Sequence, residues 1–226
     1  MDEYHGELNF YQDGGIIINA NGMKGIGIGS GLGGFINIKR GHYEFDMKGQ
    51  EGACIGSVNG DSELLIEYCD MDIYSGISNG TIIGSVNGDA DIKLENISAK
   101  LQGAGNIITG IGTIAGNSCM VRLENVNISS NIRAKECYGI GCRAGRTDIY
   151  IGYAAVKSVV QGKAAVAFGN SVMSAKLYCS NADIGTNAVT EFNSDIGALE
   201  KNIQLENGRA EFILNGQEIK RQILAA

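Results

Sequence analysis

The sequence predicts an all-β solenoid, a single-stranded parallel β-helix with about eight coils of about 28 residues each. Three observations predict this fold. A short glycine motif recurs at a nearly constant interval, strand-like segments with alternating polarity lie between its copies, and the 226 residues include 34 glycines but no proline. A repeat of 20 to 50 residues indicates one structural unit per repeat, with neighbouring units stacked on each other.

The recurring motif has the form apolar-Gly-small. Its seven copies are Ile28-Gly29-Ser30, Ile55-Gly56-Ser57, Ile83-Gly84-Ser85, Ile111-Gly112-Thr113, Ile140-Gly141-Cys142, Phe168-Gly169-Asn170 and Ile196-Gly197-Ala198. Successive motif glycines are 27 to 29 residues apart. This constancy predicts that equivalent residues of successive coils stack in rows.

A second position repeats with the same interval. It is the central apolar residue of an alternating run, as in Asp91-Ile92-Lys93-Leu94-Glu95. We place it at Phe10, Ile38, Ile66, Leu94, Leu123, Ile151, Leu177 and Leu205. Alternation with a period of two indicates β-strands with one buried face.

Glycine and asparagine mark the corners between strands. Asn-Gly pairs at positions 59–60, 87–88 and 215–216 can adopt positive φ at low cost. Asn96, Asn125 and Asn207 share one corner, where we expect left-handed (αL) geometry. The absence of proline fits a protein whose strands are almost all central, because proline would remove a hydrogen bond between strands.

The two ends differ. We expect residues 1–226 to form one domain and residues 217–226 to cap its last coil as a short amphipathic helix, because Ile219 and Ile223 are four residues apart. Leu8 and Phe10 are already in register, with no comparable cap before them. We therefore hypothesise that the domain is excised from a longer protein, or that its N-terminal edge meets a partner, including end-to-end self-association.

These coil lengths, inward apolar stacks and Gly/Asn corners resemble the right-handed parallel β-helix family over essentially the whole chain. The Ile-Gly-Ser motif also resembles the glycine-rich coils of bacterial surface and adhesin-like solenoids. The resemblance implies the handedness and a structural or adhesive role.

Composition excludes several classes of function. The net charge of -7 argues against nucleic acid and anionic membranes as partners. No apolar run is long enough for membrane insertion, and no signal peptide is visible. The six cysteines lack a Cys-x-x-Cys pair, so we expect free thiols, which are typical of the cytoplasm unless the chain is a fragment of a surface protein. We expect no metal and no cofactor.

The outward rows supply the candidate binding residues. Glu67, Glu95 and Glu124 would stack as an acidic row, with Lys93 and Arg122 able to neutralise Glu95 and Glu124. The row is either a solvated face or a site for a cation or sugar hydroxyls. Tyr150 and Tyr178 either pair across strands or stack on sugar rings. The small residues Ser30, Ser57, Ser85, Thr113 and Cys142 point inward and predict a structural ladder.

The regular coils and their flat outer rows indicate the class of function. We expect no enzyme, because coil lengths vary by only a few residues and leave no room for the long loops of a catalytic cleft. The favoured function is a structural or recognition module, adhesin-like, whose flat face meets a protein or glycan. Two alternatives stay open: a polysaccharide-active enzyme on the same fold, and an intracellular sensory or scaffolding domain of a regulator.

Overall fold

The computed structural model describes residues 6–11, 13–170, 174–191 and 203–224. It shows a parallel β-solenoid of about seven turns with about 28 residues in each turn, which confirms the predicted fold class. The described strands are β1 (Glu7–Tyr11), β2 (Gly15–Ser30), β3 (Gly34–Asn59), β4 (Ser62–Asn87), β5 (Ala90–Glu95), β6 (Ser98–Glu124), β7 (Asn127–Gly152), β8 (Ala155–Gly162), β9 (Ala164–Gly169), β10 (Ala175–Thr190), β11 (Ile203–Leu214) and β12 (Gln217–Leu224). The part of the chain that the structure describes contains no helix that could span a membrane.

The glycine motif stacks in register, as predicted. Ile28 pairs with Ile55, Ile55 with Ile83, and the row continues through Ile111, Ile140 and Phe168. The copy at Ile196-Gly197-Ala198 lies outside the described residues.

Each of the coils between Glu7 and Gly169 contains three strand segments. In the coil that starts at Gly34, the first segment is residues 34–39, the second is 41–48 and the third is 52–57. The first and second segments bury alternate side chains and expose the others, which the alternating sequence pattern predicts.

The third segment is buried on both faces. Residues 52–58 are all buried, and so are residues 80–86 one coil later. A Cβ atom on Gly27 of a third segment would come within 2.8 Å of the Phe45 ring of a second segment, whereas Cys119 of a first segment donates to the carbonyl oxygen of Gly141, in a third segment, at 3.6 Å. The third segments therefore form a middle layer between the other two, which explains their nearly continuous apolar and small residues.

The core is a stack of the inward rows. Ile38, Ile66 and Leu94 pair in succession and are fully buried. The position after Ile151 in this row is Cys179, and not Leu177 as the sequence pattern predicts. A slip of two residues keeps the same face inward, so alternation alone does not detect it.

Two kinds of backbone geometry turn the chain. The corner between the first and second segments is a row of αL residues, with φ between 44° and 63°: Arg40, Tyr68, Asn96, Asn125, Tyr153, Asn181 and Asn207. The αL geometry expected for Asn96, Asn125 and Asn207 is thus confirmed. The motif glycines also have positive φ, for example 134° at Gly56 and 137° at Gly84.

The C-terminal cap is a strand, so the predicted capping helix is wrong. β12 pairs antiparallel with β11, joined by Asn215 and Gly216 at φ 48° and 80°. Two successive positive φ angles at Asn-Gly are typical of a tight β-hairpin turn. The spacing of Ile219 and Ile223 did not distinguish the two structures, because residues four apart share a face in a strand as well. In this hairpin the chain reverses direction and β12 runs back along β11. Residues 225–226 lie outside the described part.

All six cysteines are buried and unbridged, so the expectation of free thiols is confirmed. Burial raises the pKa of Cys54, Cys69 and Cys179 to about 12 and that of Cys137 and Cys142 to about 11. Burial likewise raises the pKa of Cys119 well above its usual range. These thiols stay protonated at neutral pH, which makes them poor nucleophiles and poor metal ligands.

Candidate functional site

The outer surface of the first segments is here called the first face, and two of its rows of outward side chains matter for the site. The residues before the buried anchor form the tyrosine row: Asn37, Leu65, Lys93, Arg122, Tyr150, Tyr178 and Gln204. The residues after the anchor form the glutamate row: Lys39, Glu67, Glu95, Glu124, Gly152, Ser180 and Glu206. Because Cys179 is the anchor of its coil, Tyr178 belongs beside Tyr150, and not in the glutamate row as the sequence register placed it.

Tyr150 and Tyr178 stack on each other. They pair directly in the sheet, their ring centroids are 4.9 Å apart, and their planes differ by 7°. The separation matches the spacing of neighbouring strands, about 4.8 Å, so the backbone itself holds the rings in contact. Tyr150 stays 41% exposed. The pair is a rigid aromatic wall on an otherwise polar face.

Most charges on the first face are paired. Lys39 contacts Glu67 at 2.8 Å and Lys93 contacts Glu95 at 2.7 Å. The expected neutralisation of Glu95 by Lys93 is therefore confirmed. Hydrogen bonds to Glu67 and Glu95 raise the pKa of Lys39 and of Lys93, respectively.

The expected pairing of Arg122 with Glu124 is wrong. The Arg122 guanidinium instead contacts Asp91 of the preceding coil at 2.5 Å. The Glu124 carboxylate turns the other way and lies over Gly152, where a Cβ atom would come within 2.3 Å of Oε2. Glu124 thus has no ion-pair partner among the described residues.

A groove of about 790 Å³ opens where the glutamate row is interrupted. Gly152 and Ser180 lie between Glu124 and Glu206 in this row. The Glu124 carboxylate lies over Gly152, and the small side chain of Ser180 separates it from Glu206. The stacked tyrosines form a wall of this groove, and Lys93, Glu95, Arg122 and Gln204 also line it.

Four of the five predicted binding residues meet in this groove: Glu95, Glu124, Tyr150 and Tyr178. Glu67 lies outside its lining and is held by Lys39. Sequence reasoning missed the contributions of Gly152, Ser180 and Glu206. The interruption of the acidic row at Gly152 was the available signal, since loss of a side chain from a regular row leaves an open space.

The groove contains two neighbouring carboxylates, Glu95 and Glu124. A retaining glycosidase needs its two carboxylates about 5 Å apart. Glu95 and Glu124 pair on adjacent strands, but the Glu124 carboxylate lies over Gly152, away from Glu95. Glu95 is, however, occupied by the Lys93 ammonium, and both carboxylates lie on an open sheet where water reaches them. Within the described residues, no three His, Cys, Asp or Glu side chains come together as a metal site would require.

The small inward residues lie far from this chemistry, at the corner after the third segment. The Ser57 hydroxyl donates to the carbonyl oxygen of Gly60 at 2.8 Å and contacts Ser85 Oγ at 3.1 Å. Thr113 donates to Gly88 at 2.7 Å, and the Cys142 thiol contacts Thr147 Oγ1 at 2.9 Å. Ser30 occupies the same row but is only half-buried. These contacts satisfy buried corner carbonyl groups.

Comparison of the chain with protein-family models, with curated protein sequences and with solved structures found no match.

Proposed function

We propose that the chain is a non-enzymatic recognition module whose first face binds a protein or glycan partner in the groove beside Tyr150 and Tyr178. The observation that carries the proposal is the rigid stack of these rings, at 4.9 Å, along an open groove of about 790 Å³. Tyrosine and arginine are the residues most enriched at energetically important positions of interfaces.

The rest of the first face supports binding rather than catalysis. The strands that carry the groove are continuous with the sheet, so the side chains are fixed before a partner arrives. Preorganisation of this kind lowers the entropic cost of association. An adhesin-like role fits a rigid face of this kind, as does the role of a scaffold domain in a regulator.

The test is binding to an array of defined glycans and peptides. We expect that wild-type protein binds a subset of the array and that a Tyr150→Ala/Tyr178→Ala variant loses about tenfold or more in affinity for that subset. The matched control is Tyr74→Ala, because Tyr74 is similarly exposed at 38% but lies on a second segment.

Two results would contradict the proposal. Equal binding by the wild type and the double variant would remove the groove as the site. Cleavage of arrayed glycans by the wild type would instead favour a polysaccharide-active enzyme, with Glu95 and Glu124 as the first residues to replace.

A further inference from the structure

We infer that the partner contacts this groove through a cationic peptide segment, with two basic side chains reaching Glu124 and Glu206. The inference rests on the proposed function and narrows its ligand class. Three features carry it: the charge balance of the groove, the spacing of its two unpaired glutamates along the row, and the aromatic wall between them.

Two negative charges in the groove remain after its ion pairs are taken into account. Of the charged residues that line the groove, Lys93 and Glu95 neutralise each other, and Arg122 is held by Asp91 just beside it. Glu124 and Glu206 are exposed, and neither has an ion-pair partner among the described residues. A cationic group is therefore the complementary ligand for the open part of the groove.

The separation of these two positions along the row is comparable to four residues of an extended peptide. Glu124 and Glu206 belong to one row and are separated by the positions of Gly152 and Ser180. Three strand spacings of about 4.8 Å place their backbones about 14 Å apart. An extended peptide covers about 13.5 Å in four residues, and residues four apart point to the same side. The long side chains of two basic residues at this separation can therefore reach Glu206 and the Glu124 carboxylate, which lies over Gly152.

The aromatic wall adds a second attraction for cations. In the stacked pair, one face of each tyrosine ring is covered by the other ring. The edges and the outer faces of Tyr150 and Tyr178 remain available to a ligand. Lysine and arginine side chains bind near tyrosine through their apolar stems and through cation–π attraction. The small side chain of Ser180 leaves room in the groove for such a side chain, next to the Glu124 carboxylate over Gly152.

The probe for this proposal is a blocked seven-residue peptide with lysine at its second and sixth positions in a serine–glycine background. Its counterpart carries glutamine at both positions. Titration of each into isotopically labelled protein is followed through the amide signals of Gly152 and Ser180. We expect the lysine peptide to bind about fivefold tighter or more than the glutamine peptide, and the preference to shrink as salt is added.

Two charge-matched variants make the test specific. Glu124→Gln/Glu206→Gln should remove the preference for the lysine peptide. Glu63→Gln/Glu191→Gln removes the same charge from exposed positions outside the groove lining and should keep the preference. Circular dichroism confirms that both variants are folded.

Several outcomes would overturn the inference while leaving the proposed function intact. One is equal affinity for the two peptides when the array still shows tyrosine-dependent binding. Another is that both charge variants lose the preference for the lysine peptide equally. That result would show that the preference depends on the net charge of the molecule and not on the groove. Binding of a chitosan hexamer, but not of the lysine peptide, would identify a cationic glycan as the ligand instead. Failure of the array test itself would overturn both.

Discussion

Two exposed tyrosines occupy corner positions where asparagine stands in most other coils. Tyr68 and Tyr153 have φ of 57° and 46°, whereas Asn96, Asn125 and Asn181 fill equivalent positions. The αL conformation is unfavourable for most side chains, and asparagine tolerates it better because its short amide can bond locally. Tyr68 is 58% exposed, so little packing offsets the backbone cost.

The corner geometry predicts that Tyr68→Asn stabilises the protein. We expect an increase in the free energy of unfolding of up to about 1 kcal/mol, measured by urea denaturation. The reverse change, Asn96→Tyr, tests the same geometry with the opposite sign and should lower stability. An unchanged or lower stability of Tyr68→Asn would show that the ring makes contacts that outweigh the backbone cost.

The motif glycines form a row of close backbone contacts between strands of consecutive coils. From Gly29 to Gly141, each motif glycine lies directly against the backbone of the next coil, and a Cβ on Gly84 would come within 1.9 Å of the carbonyl oxygen of Gly112. The φ of 137° at Gly84 also excludes most other residues. The glycine row therefore sets how closely consecutive coils approach at this corner.

We expect Gly84→Ala to destabilise the fold by more than about 3 kcal/mol, since the added methyl group meets backbone atoms that cannot move aside alone. Gly185 provides the control, because a Cβ there meets no atom within 4 Å and its φ is not positive. Gly185→Ala should change stability by less than about 0.5 kcal/mol. Similar urea midpoints for the two variants would contradict this role of the row.

At the scale of the whole molecule, the two described ends of the solenoid are not equivalent. β12 pairs antiparallel with β11 and covers the second segment of the last coil. Among the described residues, β2 pairs with β3 alone, so the backbone groups on its other edge have no strand partner there. Beside this edge, Ile17 is 66% exposed and Met23 is 71% exposed. Unpaired edges with apolar side chains favour association with another strand.

We therefore predict end-to-end self-association through the β2 edge. Light scattering coupled to size-exclusion chromatography should show a molar mass that rises with protein concentration. Ile17→Lys should return the protein to a monomer, because a charge beside an edge strand opposes pairing with a second edge. A monomeric molar mass at high protein concentration would contradict this prediction. Self-association that Ile17→Lys leaves unchanged would contradict it as well.

The sequence by itself determined the coil length, the stacking of the glycine motif and which side chains of the first segments face outward. Each of these follows from local spacing, because a period of two assigns faces and a period of about 28 residues assigns rows. Four of the five candidate groove residues could be named in this way. The sequence did not show that Glu67 lies outside the groove, because its ion pair with Lys39 forms between adjacent coils.

Only the tertiary structure decided the register of the last coils, the middle layer and the C-terminal hairpin. A slip of two residues preserves every inward side chain, so only the pairing of Ile151 with Cys179 places Tyr178 on Tyr150. The spacing at the C-terminus likewise suits a helix or a strand, and pairing with β11 selects the strand. The residues of the groove come from consecutive coils, about 28 residues apart in the chain, so only the pairing of these coils brings Glu124, Gly152 and Ser180 together.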